Sequence, residues 1–382
     1  MAIPIDYETL RLIWWVLIGV LLIGFALTDG FDLGVTAMLP FIARSDAERR
    51  LVINSIGATW EGNQVWFILG GGAIFAAWPF VYAVSFSGLY PAMFLVLAAL
   101  ILRPVAFKYR SKRPDPRWRD RWDWALFVAG FVPASVFGVA VGNVLIGLPF
   151  RFDDDLRSFY EGSLMALFGP FALLCGLLSV AMVVLHGACW LAMKLEPGVV
   201  QARARRFGIV AAAAAILLFA AGYVLTAWGP FGMRIDPAAI AGGPSNPRLS
   251  SSSVMAGAWL DNFRIRPSLW VVPLLGFIGS GLAAAGLRFH RDLMAFAGSS
   301  LATFGIIATV GLSMFPFILP SSIDPRSSLT VWNASSSHAT LFVMLIVTAV
   351  MLPIVLLYTA WVYRVLFGRV TADDVRINPD FY

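Results

Sequence analysis

Three carboxylates, Asp29, Asp32 and Glu61, fall inside stretches otherwise apolar enough to lie in lipid. Asp29 and Asp32 belong to TDGFDLG (Thr28–Gly34) within the run Leu12–Ile42, and Glu61 belongs to WEGNQVW (Trp60–Trp66) within Leu51–Pro79. A carboxylate at the bilayer centre costs about 3 kcal/mol or more, so such groups persist where they bind an ion, relay protons or answer a buried cation. A spacing of three puts Asp29 and Asp32 on one helix face. With the polar stretch Arg44–Arg50 at one membrane surface, a rise of ~1.5 Å per residue sets Asp29 ~21 Å and Glu61 ~15 Å below it. The two are expected at similar depth on adjacent antiparallel helices, as a coupled pair that does not fully ionise at both members, with Asp32 in support. Thr28, Trp60, Asn63 and Gln64 surround them. That set suits a proton path or a polar ligand pocket, and a structural pin between helices is the plainer alternative.

Other chemistry is sparse. Arg103, in LILRPVAFKYR (Leu100–Arg110), ends an apolar run; it either snorkels to the inner surface or pairs with a buried carboxylate. The three histidines, His186, His290 and His338, cannot place a bis-histidine pair across facing helices, so no haem ligand is expected. Cys175 and Cys189 share one predicted helix ~21 Å apart, too far for a disulfide. No CxxC or CxxCH occurs.

The elements that hold these residues are membrane helices. Of 382 residues, 59% are hydrophobic and 13% charged, against roughly 25% charged in soluble chains. Apolar windows of ~20 residues predict nine spans in a single transmembrane domain covering residues 1–382. They lie near 10–42, 51–78, 80–106, 123–148, 163–192, 207–229, 268–288, 293–319 and 338–366, with a tight turn at Pro79 between the second and third. Asp6 and Glu8 stand where a signal peptide would have a basic region. The net charge of +6 comes from cations between spans, which reads as topology and not as nucleic-acid binding. Twenty of the 28 Lys and Arg fall on one side if the N-terminus is outside and the C-terminus inside, as the positive-inside rule requires. The loop Lys108–Trp124 reads as a basic topology anchor with an interfacial belt at Trp118, Trp122 and Trp124. Arg151–Gly162 reads as a solvated acidic loop. Gly229–Pro267 reads as an outer loop that packs on a partner or stays mobile.

Taken in order, several motifs resemble subunit II of the cytochrome bd quinol oxidases, a family that includes the cyanide-insensitive oxidase branch. They are TDGFDLG (28–34), INSIGATWEGNQVW (53–66), GGAIFAAWP (71–79), RPVAFKYRSK (103–112), AGAWL (256–260), GLSMFPFILPSS (311–322), SLTVWNAS (328–335) and LLYTAWVY (356–363). The resemblance runs from Ile5 to the terminal tyrosine. It implies an all-α polytopic protein of nine transmembrane helices, two four-helix bundles plus one peripheral helix. It also implies a haem-bearing subunit I as partner, with haems b and d held there, in a complex that oxidises quinol and reduces oxygen to water. Some members hold a structural quinone, some complexes carry a small accessory subunit, and a cytoplasmic proton path is attributed to buried acids of this subunit. Glu61 stands where many members have Asp, one methylene shorter. Lys108 stands where some have an acid, and an ammonium there opposes proton entry at that position.

The competing class is an ion-coupled secondary transporter, with the acids as its coupling site. The charge bias makes the first testable statement. A reporter fused after Tyr382 is expected to give a cytoplasmic signature, and a periplasmic one overturns the orientation.

Overall fold

The computed structural model of the chain describes residues 3–235, 241–371 and 373. Arg376 and the terminal tyrosine lie outside them. Twelve α-helices follow one another: α1 (Tyr7–Ile42), α2 (Asp46–Gly57), α3 (Trp60–Ala77), α4 (Pro79–Gly88), α5 (Tyr90–Tyr109), α6 (Pro116–Ile146), α7 (Pro170–Lys194), α8 (Val199–Trp228), α9 (Asp261–Ile265), α10 (Val271–Arg288), α11 (Asp292–Met314) and α12 (His338–Val365). Eight are long and apolar enough to cross a membrane: α1, α5, α6, α7, α8, α10, α11 and α12. The expected span 51–78 is instead two helices, parted at Ala58–Thr59, so that α3 begins at Trp60 directly above the acid motif. The span 80–106 is likewise parted at Leu89, and the turn at Pro79 is where the sequence places it. The eighth helix of the expected set stops at Met314, and Phe317–Leu319 is a strand.

Helix α1 is the spine of the fold, packing against α3, α6, α7 and α11. Its C-terminal half is buried without interruption from Asp29 to Leu39, while its N-terminal half exposes Val16, Val20 and Leu22. Small residues make that burial possible. A Cβ on Gly34 would lie 1.8 Å from the Val183 carbonyl oxygen, and one on Gly187 would lie 2.6 Å from the Val35 nitrogen. The α1 and α7 backbones therefore touch, as helices in lipid do when packing and not water exclusion drives association.

The two membrane-facing ends are built differently. At the end carrying the chain's N-terminus, three two-stranded antiparallel hairpins form a cap: β1 (Phe150–Phe152) with β2 (Ser158–Tyr160), β3 (Met233–Ile235) with β4 (Ser252–Val254), and β5 (Phe317–Leu319) with β6 (Leu329–Thr330). The segment expected as a solvated acidic loop is the first hairpin. Alternation buries Phe150 and Phe152, while Asp154, Asp155 and Arg157 are exposed at its tip. The described part of Gly229–Pro267 packs on its own chain: Trp259 Nε1 donates to Leu145 O at 2.9 Å, and Asn262 Nδ2 donates to Phe315 O at 2.7 Å. Arg11, fully buried, donates to Ser335 Oγ (2.7 Å), Ala241 O (2.6 Å) and Gly243 O (3.0 Å), tying that segment to α1.

The opposite end is a belt of ion pairs. Arg110 lies 2.5 Å from Asp123 and 2.9 Å from Asp46; Arg119 lies 2.6 Å from Asp46; Arg49 lies 2.8 Å from Asp123 and 2.9 Å from Asp120. The basic loop is thus more than the anchor expected, because Arg110 and Asp123 are buried members of a network joining α2, α5 and α6. Lys108, Lys112, Arg113, Arg117 and Arg121 remain exposed on it. Ser45 and Glu48 form a capping box that starts α2. Glu48 also receives Arg203 at 3.0 Å. Burial pushes the Glu48 carboxyl up, but the Arg44 amide and Arg203 outweigh it and leave its pKa below the ordinary value.

The α1–α7 contact yields a paired prediction. Gly34→Ala must drive the two backbones apart and is expected to lower stability by about 1–3 kcal/mol. Gly19→Ala meets no atom within 4 Å and is expected to be neutral or slightly stabilising. Thermal unfolding of the two purified variants checks this; equal melting temperatures would contradict it.

Candidate functional site

The site is built where α1, α3 and α5 meet. Asp29 and Asp32 are both fully buried on α1, one helical turn apart. Arg103 reaches them from α5, itself fully buried, with Nη1 2.5 Å from Asp29 Oδ1 and Nη2 3.3 Å from Oδ2. Of the two readings the sequence left open for Arg103, the structure shows the ion pair. Asn63 Nδ2, from the first turn of α3, donates to Asp32 Oδ2 at 2.8 Å. Asp32 Oδ1 is buried and has no hydrogen-bond partner among the described residues.

Charge is unbalanced in this cluster. One guanidinium faces two carboxylates in a place that water does not screen, and Asn63 offers a dipole but no charge. An isolated buried carboxylate is among the most expensive groups a protein can hold. Acids held this way inside membrane helices mark ion sites and proton relays.

The expected Asp29–Glu61 pair is not what forms. Glu61 lies on the exposed side of α3, whereas Asp29 pairs with Arg103. The reason is angular: positions 61 and 63 of a helix face away from each other, and Asn63 takes the inward one. Trp60 is buried and stacked on Phe107, with ring centroids 5.1 Å apart and planes 3° apart. Thr28 donates to Gly24 O within α1 at 2.8 Å, and Gln64 is half-buried beside Asn63.

Tyr363, near the end of α12, was missed. Its hydroxyl donates to Asn63 Oδ1 at 2.7 Å, across 300 residues of sequence. The motif LLYTAWVY contains it, but a tyrosine ending an apolar run reads as an interface anchor, and only the folded chain brings it to α3.

His186 is the histidine within a span, and its ring does not fit haem ligation. Nε2 lies 3.0 Å from Leu27 O and Nδ1 lies 2.8 Å from Ser299 Oγ. A carbonyl only accepts, so Nε2 carries the proton, and both ring nitrogens are engaged within the chain. The ring stacks on Phe296, 5.0 Å between centroids. Among the described residues no group of three or more His, Cys, Asp or Glu could hold a metal ion.

Comparison with known proteins places this arrangement. A family model described as cytochrome bd terminal oxidase subunit II matches residues 10–366. The chain is 49% identical over 374 residues to the cytochrome bd-I ubiquinol oxidase subunit 2 of Escherichia coli K12, covering 98% of each sequence. It is 31% identical over 370 residues to the cytochrome bd ubiquinol oxidase subunit 2 of Bacillus subtilis 168, covering 95% of this chain and 97% of that one. A chain of the bd oxidase structure from Geobacillus thermodenitrificans shares the fold, with a TM-score of 0.69 at 14% identity over 94% of this chain and 99% of that one.

The buried ion pair makes the prediction for this site. Arg103→Met leaves Asp29 without its cation and is expected to cost about 3–5 kcal/mol, seen as loss of assembled protein. Adding Asp29→Leu to Arg103→Met is expected to restore much of the yield, since a well-packed apolar pair costs little. Wild-type yield and melting temperature for Arg103→Met alone would contradict the pairing.

Proposed function

The chain belongs to the cytochrome bd terminal oxidase subunit II family, and from that premise we propose that it works beside a haem-bearing subunit I that oxidises quinol and reduces oxygen to water, its own buried acids carrying protons from the cytoplasm. The protein is therefore a subunit of an oxidoreductase complex. Family membership selects this reading over the transporter one. The observation that carries the proton role is the unbalanced cluster: two buried carboxylates, one guanidinium, and a carboxylate oxygen on Asp32 with no protein partner among the described residues.

Within this reading α2 and α3 together make a ninth crossing. The helices α1, α3, α5 and α6 form one bundle and α7, α8, α10 and α11 a second, with α12 peripheral, in a single transmembrane domain of the bacterial inner membrane. The N-terminus is outside and the C-terminus inside, so the ion-pair belt is cytoplasmic. Haems b and d belong to the partner, in keeping with a His186 ring whose nitrogens are both engaged.

Glu61 takes a different part from the one its depth suggested. A carboxylate exposed on a membrane-crossing helix is too costly to leave against lipid. The face of α3 that carries Glu61, Val65, Ile68 and Leu69 is accordingly the surface that subunit I covers. Glu61 stands there, on the face of α3 opposite Asn63, as the point where protons pass between the partner and this subunit. Lys108, exposed on the last turn of α5, repels cations and is outside the path.

Glu61→Gln keeps shape and hydrogen bonding but cannot titrate. Turnover per haem is expected to fall about a hundredfold, the low end for losing a proton-transfer group, with haem content intact, and Glu61→Asp is expected to retain much of the activity. Turnover per haem equal to wild type in Glu61→Gln removes Glu61 from the path.

A further inference from the structure

We infer that Tyr363 is a positioning residue for the buried acids, holding the Asn63 amide with its nitrogen toward Asp32. The inference rests on the proton-carrying reading of that site and names a residue which that reading does not require.

The geometry starts with an odd helix. Leu341 is the one buried side chain of α12, and Val343, Val350, Ile354 and Leu357 along its length are all more than half exposed. Core packing holds its first two turns, through Leu341, Phe342, Met344 and Leu345, and its inner end is fastened at several points. Lys194 Nζ donates to Leu366 O at 2.6 Å and Gly368 O at 3.0 Å, Val370 N donates to Lys194 O at 2.8 Å, and Arg369 lies 2.9 Å from Asp292. These ties bring the last turn of α12 against α7, where the Tyr363 ring meets Trp190 edge-on, 6.2 Å between centroids at 90°. From there its hydroxyl reaches Asn63.

The chain Tyr363–Asn63–Asp32 has a polarity. An ionised carboxylate only accepts, so the amide nitrogen must face Asp32 and the amide oxygen must face the phenol, which must then donate. The distances of 2.7 Å and 2.8 Å fit this arrangement at both ends. When Asp32 holds a proton the chain can reverse: the acid donates to the amide oxygen, and the amide nitrogen donates to the phenol oxygen. Both polarities pair the two ends of the amide, because a hydroxyl can donate in the one and accept in the other. Phenylalanine can do neither. Without the phenol the amide oxygen is buried unpaired in the first state and the amide nitrogen in the second, so the amide no longer follows the carboxyl. The other charged or titratable groups facing Asp32 are Asp29 on its own helix and Arg103 from α5. Neither touches Asn63, so neither can substitute for the phenol.

The test uses the assembled oxidase complex. Tyr363→Phe is expected to retain haem content and yield, to lower turnover per haem about three- to tenfold, as fits one hydrogen bond lost, and to displace the pH profile of turnover. In an Asp32→Asn background, whose amide cannot cycle a proton, Tyr363→Phe is expected to add no further loss; additive losses would mark a merely structural tyrosine and overturn the inference. Wild-type turnover and pH profile in Tyr363→Phe, with Asp32→Asn impaired, overturns the inference and leaves the proton reading standing. Wild-type turnover in Asp32→Asn itself overturns the proton reading, and the positioning role with it. Loss of haem in proportion to activity in Tyr363→Phe also overturns the inference, by reducing Tyr363 to an assembly contact.

Discussion

A guanidinium set beside two carboxylates, all three fully buried, is the constraint on which the rest of this structure depends. Asp29 answers Arg103 with two contacts. That leaves Asp32 with an amide in place of a cation. The pair fixes α5 against α1, the amide fixes α3 against α1, and Tyr363 brings α12 to the same point. A purely structural pin needs only the first of these. The extra carboxylate adds cost without adding a tie that a neutral residue could not make, which is why it reads as a working group.

Precision at this centre is supplied from both sides. The α1–α7 contact at Gly34 and Gly187 brings the backbones so close that α1 has little freedom to slide. At one end the Arg49, Arg110, Arg119, Asp46 and Asp123 network clamps α2 to the α5–α6 turn. Partly exposed pairs are individually worth little. Here Arg110 and Asp123 are buried and shared, so the network acts as one joint that sets where α5, and with it Arg103, stands. At the opposite end the hairpin cap does the same through backbone bonds, with Leu148 N donating to Pro320 O at 2.9 Å and Ser322 N donating to Leu148 O at 3.0 Å.

Much of this was legible in the residues. Apolar length located the membrane helices, because in lipid every backbone group must be satisfied within the helix and composition alone then marks the span. The buried acids stood out for the same reason. What could not be read was which way each side chain points. Glu61 and Asn63 are two residues apart, and nothing local says which turns inward. The break at Ala58–Thr59 was hidden because the run from Leu51 to Pro79 looks continuous by composition. That Gly229–Pro267 packs on its own chain, and not on a partner or as a mobile loop, could not be read because its order comes from contacts between stretches far apart in sequence, such as Arg11 with Gly243 and Trp259 with Leu145. Tyr363 was unreadable for the same reason.

The central claim is that a buried carboxyl here takes up and releases a proton as the complex turns over. Redox-induced infrared difference spectroscopy on the assembled complex measures this directly, since a protonated carboxyl has its own carbonyl stretch that shifts in heavy water. The account predicts a deuterium-sensitive carboxyl band in the wild type that disappears in Asp32→Asn while the haem bands remain. A band that survives Asp32→Asn unchanged, or the lack of any such band in the wild type, would contradict it.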